Sequence, residues 1–296
     1  MSRRILGLLI IMGALAMAVT DAMAGTADSD NVHYSRTDSI MICRLLAEAE
    51  TVPDTENIPL FFARKFLGRP YVAHTLEIFD KEHLVVNTSE LDCTTLVETV
   101  AALTLCAYRR KYTFADYLDV LKSLRYRGGI MSDYTSRLHY FSDWIDDKRA
   151  MGIVTEICEP VPPFSAVQRL DIHYMGSHTA SYKSLAAHPE FVPVIKKQES
   201  ALTGRRYRYI PKDCVGNNGL MRKAVEDGDI IAITCRKKGL DIAHLGYAVW
   251  RNDGLHLLNA SMIHHKVVEE PMTLYRYLQK HPSHTGIRIV RINKCN

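Results

Sequence analysis

The amino-acid sequence predicts an α+β fold, with helices in the first half of the chain and an antiparallel sheet in the second. Apolar residues recur at helical spacing through residues 91–147, and short runs rich in β-branched residues occupy 230–292. The segment 252–254, Asn-Asp-Gly, has the composition of a hairpin turn between two of these runs. Helices followed by an antiparallel sheet are typical of an α+β domain.

The helix predictions depend on apolar spacing and on the turn residues between segments. The clearest helix is residues 91–110, where Leu96, Val97, Val100 and Leu103 share one broad face. Further helices, or helical pieces in the last two cases, are predicted at 39–50, 57–66, 114–124, 134–147, 191–204 and 214–226.

The strand predictions depend on alternation and on β-branched content. Residues 75–86 alternate apolar and polar side chains and are predicted to contain a strand. Residues 245–250 and 255–260 are predicted to pair as a hairpin through the turn at 252–254. Further strands are predicted at 230–234 and 287–292.

The N-terminus has the features of a signal peptide. Arg3 and Arg4 precede an apolar stretch at 5–19, and Ala22-Met23-Ala24 has the small-x-small pattern of a cleavage site. We therefore expect a mature protein that begins near Gly25 and is periplasmic or secreted. The alternative is an uncleaved membrane anchor, although the stretch is short for a membrane span.

The remainder, residues 25–296, is predicted to form a single domain. The 296-residue chain is 47% apolar and carries a formal net charge of +4. Its basic residues form no long run, which argues against nucleic acid as a partner. The seven cysteines are an odd number, so pairing in an oxidising compartment would leave at least one free thiol in a monomer.

Cys93 is a candidate nucleophile. It follows the turn cluster 87–90 and lies at the start of the predicted helix. Free backbone N–H groups and the positive end of the helix dipole stabilise a thiolate at this position. The alternatives are a buried cysteine that packs at a helix start, or one half of a disulfide.

His244 and Asn259 are candidates for the partners of this thiol. His244 opens a predicted strand, from which it can reach a thiol on a facing helix and take its proton. Asn259 lies on the next strand across the predicted hairpin, where it can orient the imidazole. An isolated His is more often structural, and an Asn often ends a strand, so the evidence is the combination of the three residues.

Five stretches of the sequence carry a resemblance to a known family. They are N-x-x-x-L-D-C-T-T-L-V-E at 87–98, L-R-Y-R-G-G at 124–129, Y-x-S-R-x-H-Y-x-x-D-W at 134–144, and the pair G-D-I at 228–230 with H-L-G at 244–246. Together they resemble the DUF1460 branch of the NlpC/P60 superfamily. The resemblance covers residues 57–292, nearly the whole predicted mature chain.

The resemblance implies a papain-like NlpC/P60 fold, with the nucleophile at the N-terminus of a helix that packs on an antiparallel sheet. It implies N-acetylmuramoyl-L-alanine amidase activity through Cys93 and His244, without a cofactor or metal. The third residue is commonly His in the superfamily, whereas Asn259 occupies that position here. An Asn can hold the imidazole tautomer but brings no negative charge.

The family motifs also suggest substrate-binding side chains for a muropeptide or another peptidoglycan fragment. Arginines can pair with its carboxylates and tyrosines can stack on its sugar rings. The candidates are Arg125, Arg127, Tyr134, Arg137 and Tyr140. If Arg137 binds substrate, we expect Arg137→Ala to impair turnover and to leave the melting temperature nearly unchanged.

Two other functions are compatible with these residues. The same Cys-His site could serve an endopeptidase that cuts within the stem peptide, at a γ-D-glutamyl-diamino acid bond. The chain could instead be an exported binding module without activity, which a disulfide at Cys93 would support. The sequence leaves the oligomeric state open.

Overall fold

A computed structural model describes residues 31–53 and 55–294 of the chain. The predicted signal peptide lies outside the described residues. Within them, no helix is both long and apolar enough to cross a membrane.

The helices are concentrated in the first two thirds of the described chain. Their bounds are α1 Arg36–Ala49, α2 Ile58–Arg64, α3 Cys93–Tyr108, α4 Phe114–Arg125, α5 Phe141–Ala150, α6 Tyr174–Ser177, α7 Lys183–Ala187, α8 Phe191–Leu202, α9 Gly219–Ala224 and α10 Leu274–Lys280.

The longest strands lie in the last third of the chain. The bounds of the strands are β1 Val32–His33, β2 Leu84–Val85, β3 Val154–Ile157, β4 Ala166–Arg169, β5 Arg206–Pro211, β6 Ile230–Cys235, β7 Ile242–Arg251, β8 Gly254–Ser261, β9 Lys266–Glu269 and β10 His284–Ile292.

Among the described residues, eight strands form one antiparallel sheet in the order β4-β5-β10-β6-β7-β8-β9, with β3 also paired to β10. A separate parallel pair joins β1 and β2. The β7–β8 hairpin turns at Asn252 and Asp253, with Arg251 paired to Gly254, so the predicted hairpin is confirmed. The predicted α+β class with an antiparallel sheet is confirmed as well.

Both faces of the sheet are covered by helices. Ile230 and Ala232 of β6 pack into a core with α1 to α5, whereas Ile231 and Ile233 pack into a second core with α9 and α10. A strand that is buried on both faces reads as a continuous apolar run, which explains the sequence of β6. Helix α3 lies on the first face against β7 and β8.

Helix α3 confirms the clearest helix prediction, and α4 confirms the next. Their apolar faces are defined by local spacing, and residues from Leu96 to Cys106 are all buried. The predicted strand at 75–86 is reduced to Leu84 and Val85, and turns fill the remainder.

The predicted helix at 134–147 is wrong. The structure has one 3₁₀ turn at Tyr134–Ser136, an extended stretch, and then α5 from Phe141. Arg137 forms an isolated β-bridge with Tyr126, and the backbone N–H of Leu138 donates to the Arg125 carbonyl at 3.0 Å. These contacts with the end of α4 satisfy backbone groups outside a helix and interrupt the predicted one.

Candidate active site

Cys93 is the first residue of α3, as the sequence predicted. Asp92 caps the helix: its Oδ1 accepts from the backbone N–H of Thr95 at 2.8 Å, and its own N–H donates to Thr95 Oγ1 at 2.9 Å. The first N–H groups of a helix lack partners within the helix and carry the positive end of its dipole. A negative charge that develops at Cys93 is stabilised there.

The Cys93 thiol contacts strand β7. The backbone N–H of Leu245 donates a hydrogen bond to its sulfur. Leu245 directly follows His244, so this contact brings the thiol to the strand that carries the imidazole. Cys93 and His244, which are far apart in the sequence, thus lie on adjoining elements.

Gly246 lets β7 approach β8 closely at this point. A β carbon on Gly246 would lie 2.6 Å from the carbonyl oxygen of Leu258 and 2.8 Å from the side chain of Leu257. Such contacts are too short for any side chain. The glycine therefore permits the strand spacing that positions His244.

Asn259 holds the His244 imidazole. The β7–β8 pairing ends at Tyr247 and Leu258, and His244 and Asn259 lie just beyond that end. His244 Nε2 is 2.9 Å from Asn259 Oδ1. An amide oxygen only accepts hydrogen bonds, so Nε2 carries the proton and Nδ1 keeps its lone pair. This tautomer leaves Nδ1 able to accept a proton.

Burial sets the protonation states of the thiol and the imidazole. It raises the pKa of Cys93 to about 12; the Asp92 carboxylate adds to this rise and the Leu245 N–H opposes it. Burial also lowers the pKa of His244, against the opposing effect of the Asn259 hydrogen bond. Both shifts favour the uncharged forms, so the pair rests as a thiol and a neutral imidazole at pH 7.

Tyr71 lies beside Cys93 and was missed by sequence reasoning. It forms a β-bridge with Leu91, and its N–H donates to the His265 carbonyl at 3.0 Å. Burial raises the pKa of its phenol, and negative charge on Cys93 and Asp92 raises it further.

Glu270 and His264 lie behind Asn259 and were also missed as site residues. Glu270 is 1% exposed, its Oε1 lies 3.5 Å from Asn259 Nδ2, and its Oε2 lies 3.2 Å from His264 Nε2. No motif marks either residue. In the sequence, His264 is only one of two adjacent histidines, 264 and 265, which lack the spacing of zinc ligands.

An aromatic row covers another side of His244. The rings of His244 and Tyr277 are 6.5 Å apart, those of Tyr277 and His281 are 4.4 Å apart, and those of His281 and His284 are 4.7 Å apart. Burial, together with the neighbouring imidazoles, lowers the pKa of His284 to about 4. Tyr277 and His284 are therefore uncharged at neutral pH.

Two of the predicted substrate-binding arginines lie in ion pairs inside the protein. Arg125 is 2% exposed and its Nε donates to Glu98 Oε2 at 2.7 Å. Arg137 is 8% exposed and contacts Glu82 through Nε and Nη2, at 2.6 Å for the shortest contact. Both guanidinium groups are matched by carboxylates of the protein, and their contact with a substrate stays a prediction.

The other three predicted binding residues have internal partners as well. Tyr140 is buried and its hydroxyl donates to Glu199 Oε1 at 2.7 Å. Tyr134 is buried, and the Arg137 guanidinium lies over its ring at 5.2 Å. Arg127 is more exposed and pairs with Asp143. A substrate contact for these three also stays a prediction.

The six cysteines in the described residues are free thiols, namely Cys43, Cys93, Cys106, Cys158, Cys214 and Cys235. Cys295 lies outside the described residues. The expected pairing in an oxidising compartment is thus not seen among these six. Cys93 in particular is unpaired, so the site has a free thiol.

The chain matches a family model described as AmiA-like, N-acetylmuramoyl-L-alanine amidase-like, over residues 61–287. It belongs to this amidase-like family. Among curated proteins, none matches the chain.

Solved structures support the same relationship. An N-acetylmuramoyl-L-alanine amidase from Bacteroides uniformis is 42% identical, with a TM-score of 0.75, over 80% of this chain and 98% of that one. A Bacteroides fragilis protein provisionally named a xylanase is 40% identical, with a TM-score of 0.73, over 78% and 98%. A DUF1460 protein from Legionella pneumophila is 22% identical, over 86% and 94%, and its TM-score of 0.67 shows a shared fold. The resemblance to the DUF1460 amidases is confirmed.

Proposed function

We propose that this protein is an exported cysteine amidase that hydrolyses the bond between N-acetylmuramic acid and L-alanine in peptidoglycan fragments. Membership of the amidase-like family and the name of the B. uniformis relative support the reaction and the substrate. The observation that supports the mechanism most directly is the contact of the Cys93 thiol with Leu245, the residue that follows His244 on β7.

In this mechanism Cys93 is the nucleophile and His244 is the general base. His244 Nδ1 takes the thiol proton as the sulfur attacks the lactyl carbonyl carbon, because both groups rest uncharged. The tetrahedral intermediate collapses, His244 gives the proton to the departing L-alanine amine, and a thioester remains. Water then hydrolyses the thioester, with His244 again as the base. Asn259 keeps the imidazole in the tautomer that this sequence requires.

In this proposal, two groups stabilise the oxyanion of the tetrahedral intermediate. The backbone N–H of Cys93 belongs to the unpaired first turn of α3. The second is the hydroxyl of Tyr71, a donor whose pKa is raised by burial and by negative charge on Cys93. Together they would form a two-donor oxyanion hole.

The proposal includes the papain-like NlpC/P60 fold, since α3, which begins with Cys93, packs against β7, the strand of the antiparallel sheet that carries His244. It also includes export to the periplasm or the medium, which suits a family of cell-wall amidases. Glycoside hydrolysis uses two carboxyl groups that flank the bond, whereas a thiol and an imidazole meet here. The site therefore favours amide cleavage over the chemistry of a xylanase.

A defined muropeptide tests the reaction and the nucleophile together. The mature protein is incubated with a disaccharide tetrapeptide, and the products are identified by mass spectrometry. We expect release of the intact tetrapeptide by the wild type, and a loss of about 10⁶-fold in rate for Cys93→Ala. Cys214→Ala, which changes an exposed cysteine, is the matched control and should retain full activity.

The products separate the proposal from its alternatives. Cleavage inside the stem peptide would keep Cys93 as nucleophile and identify an endopeptidase. An inert wild type that binds the fragment would identify a binding module. Equal rates for Cys93→Ala and the wild type would refute the cysteine mechanism.

A further inference from the structure

The residue that holds the His244 imidazole is a neutral amide, Asn259. When His244 takes a proton it becomes a cation in a largely buried site. A carboxylate as the third residue would stabilise this cation by its charge, whereas the amide of Asn259 is neutral. The amide is also symmetric in shape, so something must decide which of its ends faces His244.

Glu270 is fixed rigidly behind this amide. Its backbone N–H donates to the Leu257 carbonyl at 2.8 Å, which ties it to β8. Its backbone carbonyl accepts from His256 Nδ1 at 2.8 Å. The side chain is 1% exposed, so its carboxylate has exchanged water for contacts within the protein.

The surroundings of Asn259 decide the orientation of its amide. The Nδ2 end lies 3.5 Å from Glu270 Oε1 and 3.4 Å from the Leu257 carbonyl oxygen, and both of these atoms only accept. The reversed amide would place its oxygen against two acceptors. The amide oxygen must therefore face His244, and this contact fixes the proton on Nε2 and the lone pair on Nδ1.

The charges around His244 make Glu270 the relevant anion beyond the amide. The Glu270 carboxylate raises the pKa of His244, as does Asp92, while His281 lowers it. Asp92 already caps α3. Tyr277, whose ring lies 6.5 Å from that of His244, is uncharged at neutral pH, as are Cys93 and His284. The carboxylate of Glu270 has its own partner in His264 Nε2 at 3.2 Å.

We propose that Glu270 is a positioning residue of this site, which orients the Asn259 amide and supplies, through it, the negative charge that stabilises protonated His244. The inference deepens the proposed function and depends on it for the identity of the reaction. The chain of contacts runs from His244 through Asn259 and Glu270 to His264 at the surface.

The first test measures turnover. We expect Glu270→Gln to lower kcat by about 10- to 100-fold, the usual effect of a group that orients an imidazole from behind, with little change in KM. The acid limb of the kcat profile should move to lower pH, because the imidazole loses a stabilising anion. Glu269→Gln is the matched control. Glu269 is the adjacent acid and pairs with Arg64 and Arg251, so this variant should keep the kcat and the pH profile of the wild type.

The second test needs no substrate. The imidazole of His244 is titrated by NMR in the full mature protein, and we expect a lower pKa in Glu270→Gln than in the wild type. This measurement distinguishes the two proposals: a shift in a protein that cleaves no muropeptide would sustain the role of Glu270 and reject the amidase reaction. An active wild type whose Glu270→Gln variant keeps both kcat and the pKa of His244 would overturn the role of Glu270.

A rescue variant covers the case in which Glu270→Gln does not fold. In the double variant Asn259→Asp with Glu270→Gln, the carboxylate moves into direct contact with His244. We expect its kcat to exceed that of Asn259→Ala by at least about tenfold, because the charge is restored at the imidazole. A double variant that folds and is no faster than Asn259→Ala would contradict the proposed charge effect.

Discussion

The site around Cys93 and the ion-pair region, formed by Arg125 with Glu98 and Arg137 with Glu82, are both rich in polar side chains. In the ion-pair region each permanent cation is matched to a buried carboxylate. At Cys93 the facing groups are a neutral thiol and a neutral imidazole, and the cysteine keeps partial access to solvent.

The polar side chains of the two regions serve different purposes: the ion pairs stabilise the fold, whereas the thiol and the imidazole take part in the proposed reaction. Each of these arginines neutralises a carboxylate inside the protein, and breaking such a buried pair destabilises the fold. The thiol and the imidazole become charged only during the reaction, so replacing one of them should cost the fold little stability. Substitutions in the two regions should therefore affect different observables.

After removal of Cys93 itself, the largest expected effect is the loss of turnover that follows substitution of Asn259. Asn259→Ala frees the imidazole to rotate and to take the other tautomer, and we expect kcat to fall by about 100-fold. Steady-state kinetics on the muropeptide, with a melting curve on the same sample, measure this effect. A loss of activity that only parallels unfolding would place Asn259 with the structural residues.

The next effect is on stability, at Arg137. Arg137→Ala leaves the Glu82 carboxylate buried and uncompensated, and we expect the free energy of unfolding to fall by about 3 kcal/mol. The burial of Arg137 thus reverses the expectation of an unchanged melting temperature that its sequence motif suggested.

Urea unfolding measures this loss, and Arg127→Ala provides the matched control. The pair of Arg127 with Asp143 is more exposed, so its removal should change stability by less than about 1 kcal/mol. A stable Arg137→Ala protein with a raised KM would instead identify Arg137 as a substrate ligand and would contradict its assignment to the structural ion pairs.

The smallest effect is on pH dependence. The base must be neutral to accept the thiol proton, and burial lowers the pKa of His244 below its usual value of 6.5. The acid limb of kcat/KM should therefore lie below pH 6.5, so that activity persists at pH 6. A profile of kcat/KM between pH 4 and 8 checks this, and a midpoint above 6.5 would argue against His244 as the base.

Parts of the candidate site could be predicted from the sequence because the geometry of each part is local. The turn cluster and the apolar run that follows it place Cys93 at a helix start, and the Asn-Asp-Gly turn places His244 and Asn259 on paired strands. The helix predicted at 134–147 was wrong because its backbone groups bond to the end of α4, a choice that periodicity does not encode.

The sequence by itself determined the order of helices and sheet, the position of Cys93, and the hairpin that carries His244 and Asn259. These features follow from side-chain spacing and turn composition, which act over a few residues. Only the tertiary structure decided that Tyr71 and Glu270 adjoin the site and that Arg125 and Arg137 lie in internal ion pairs. Those roles depend on burial and on partners distant in the chain, which are defined only when the layers pack together.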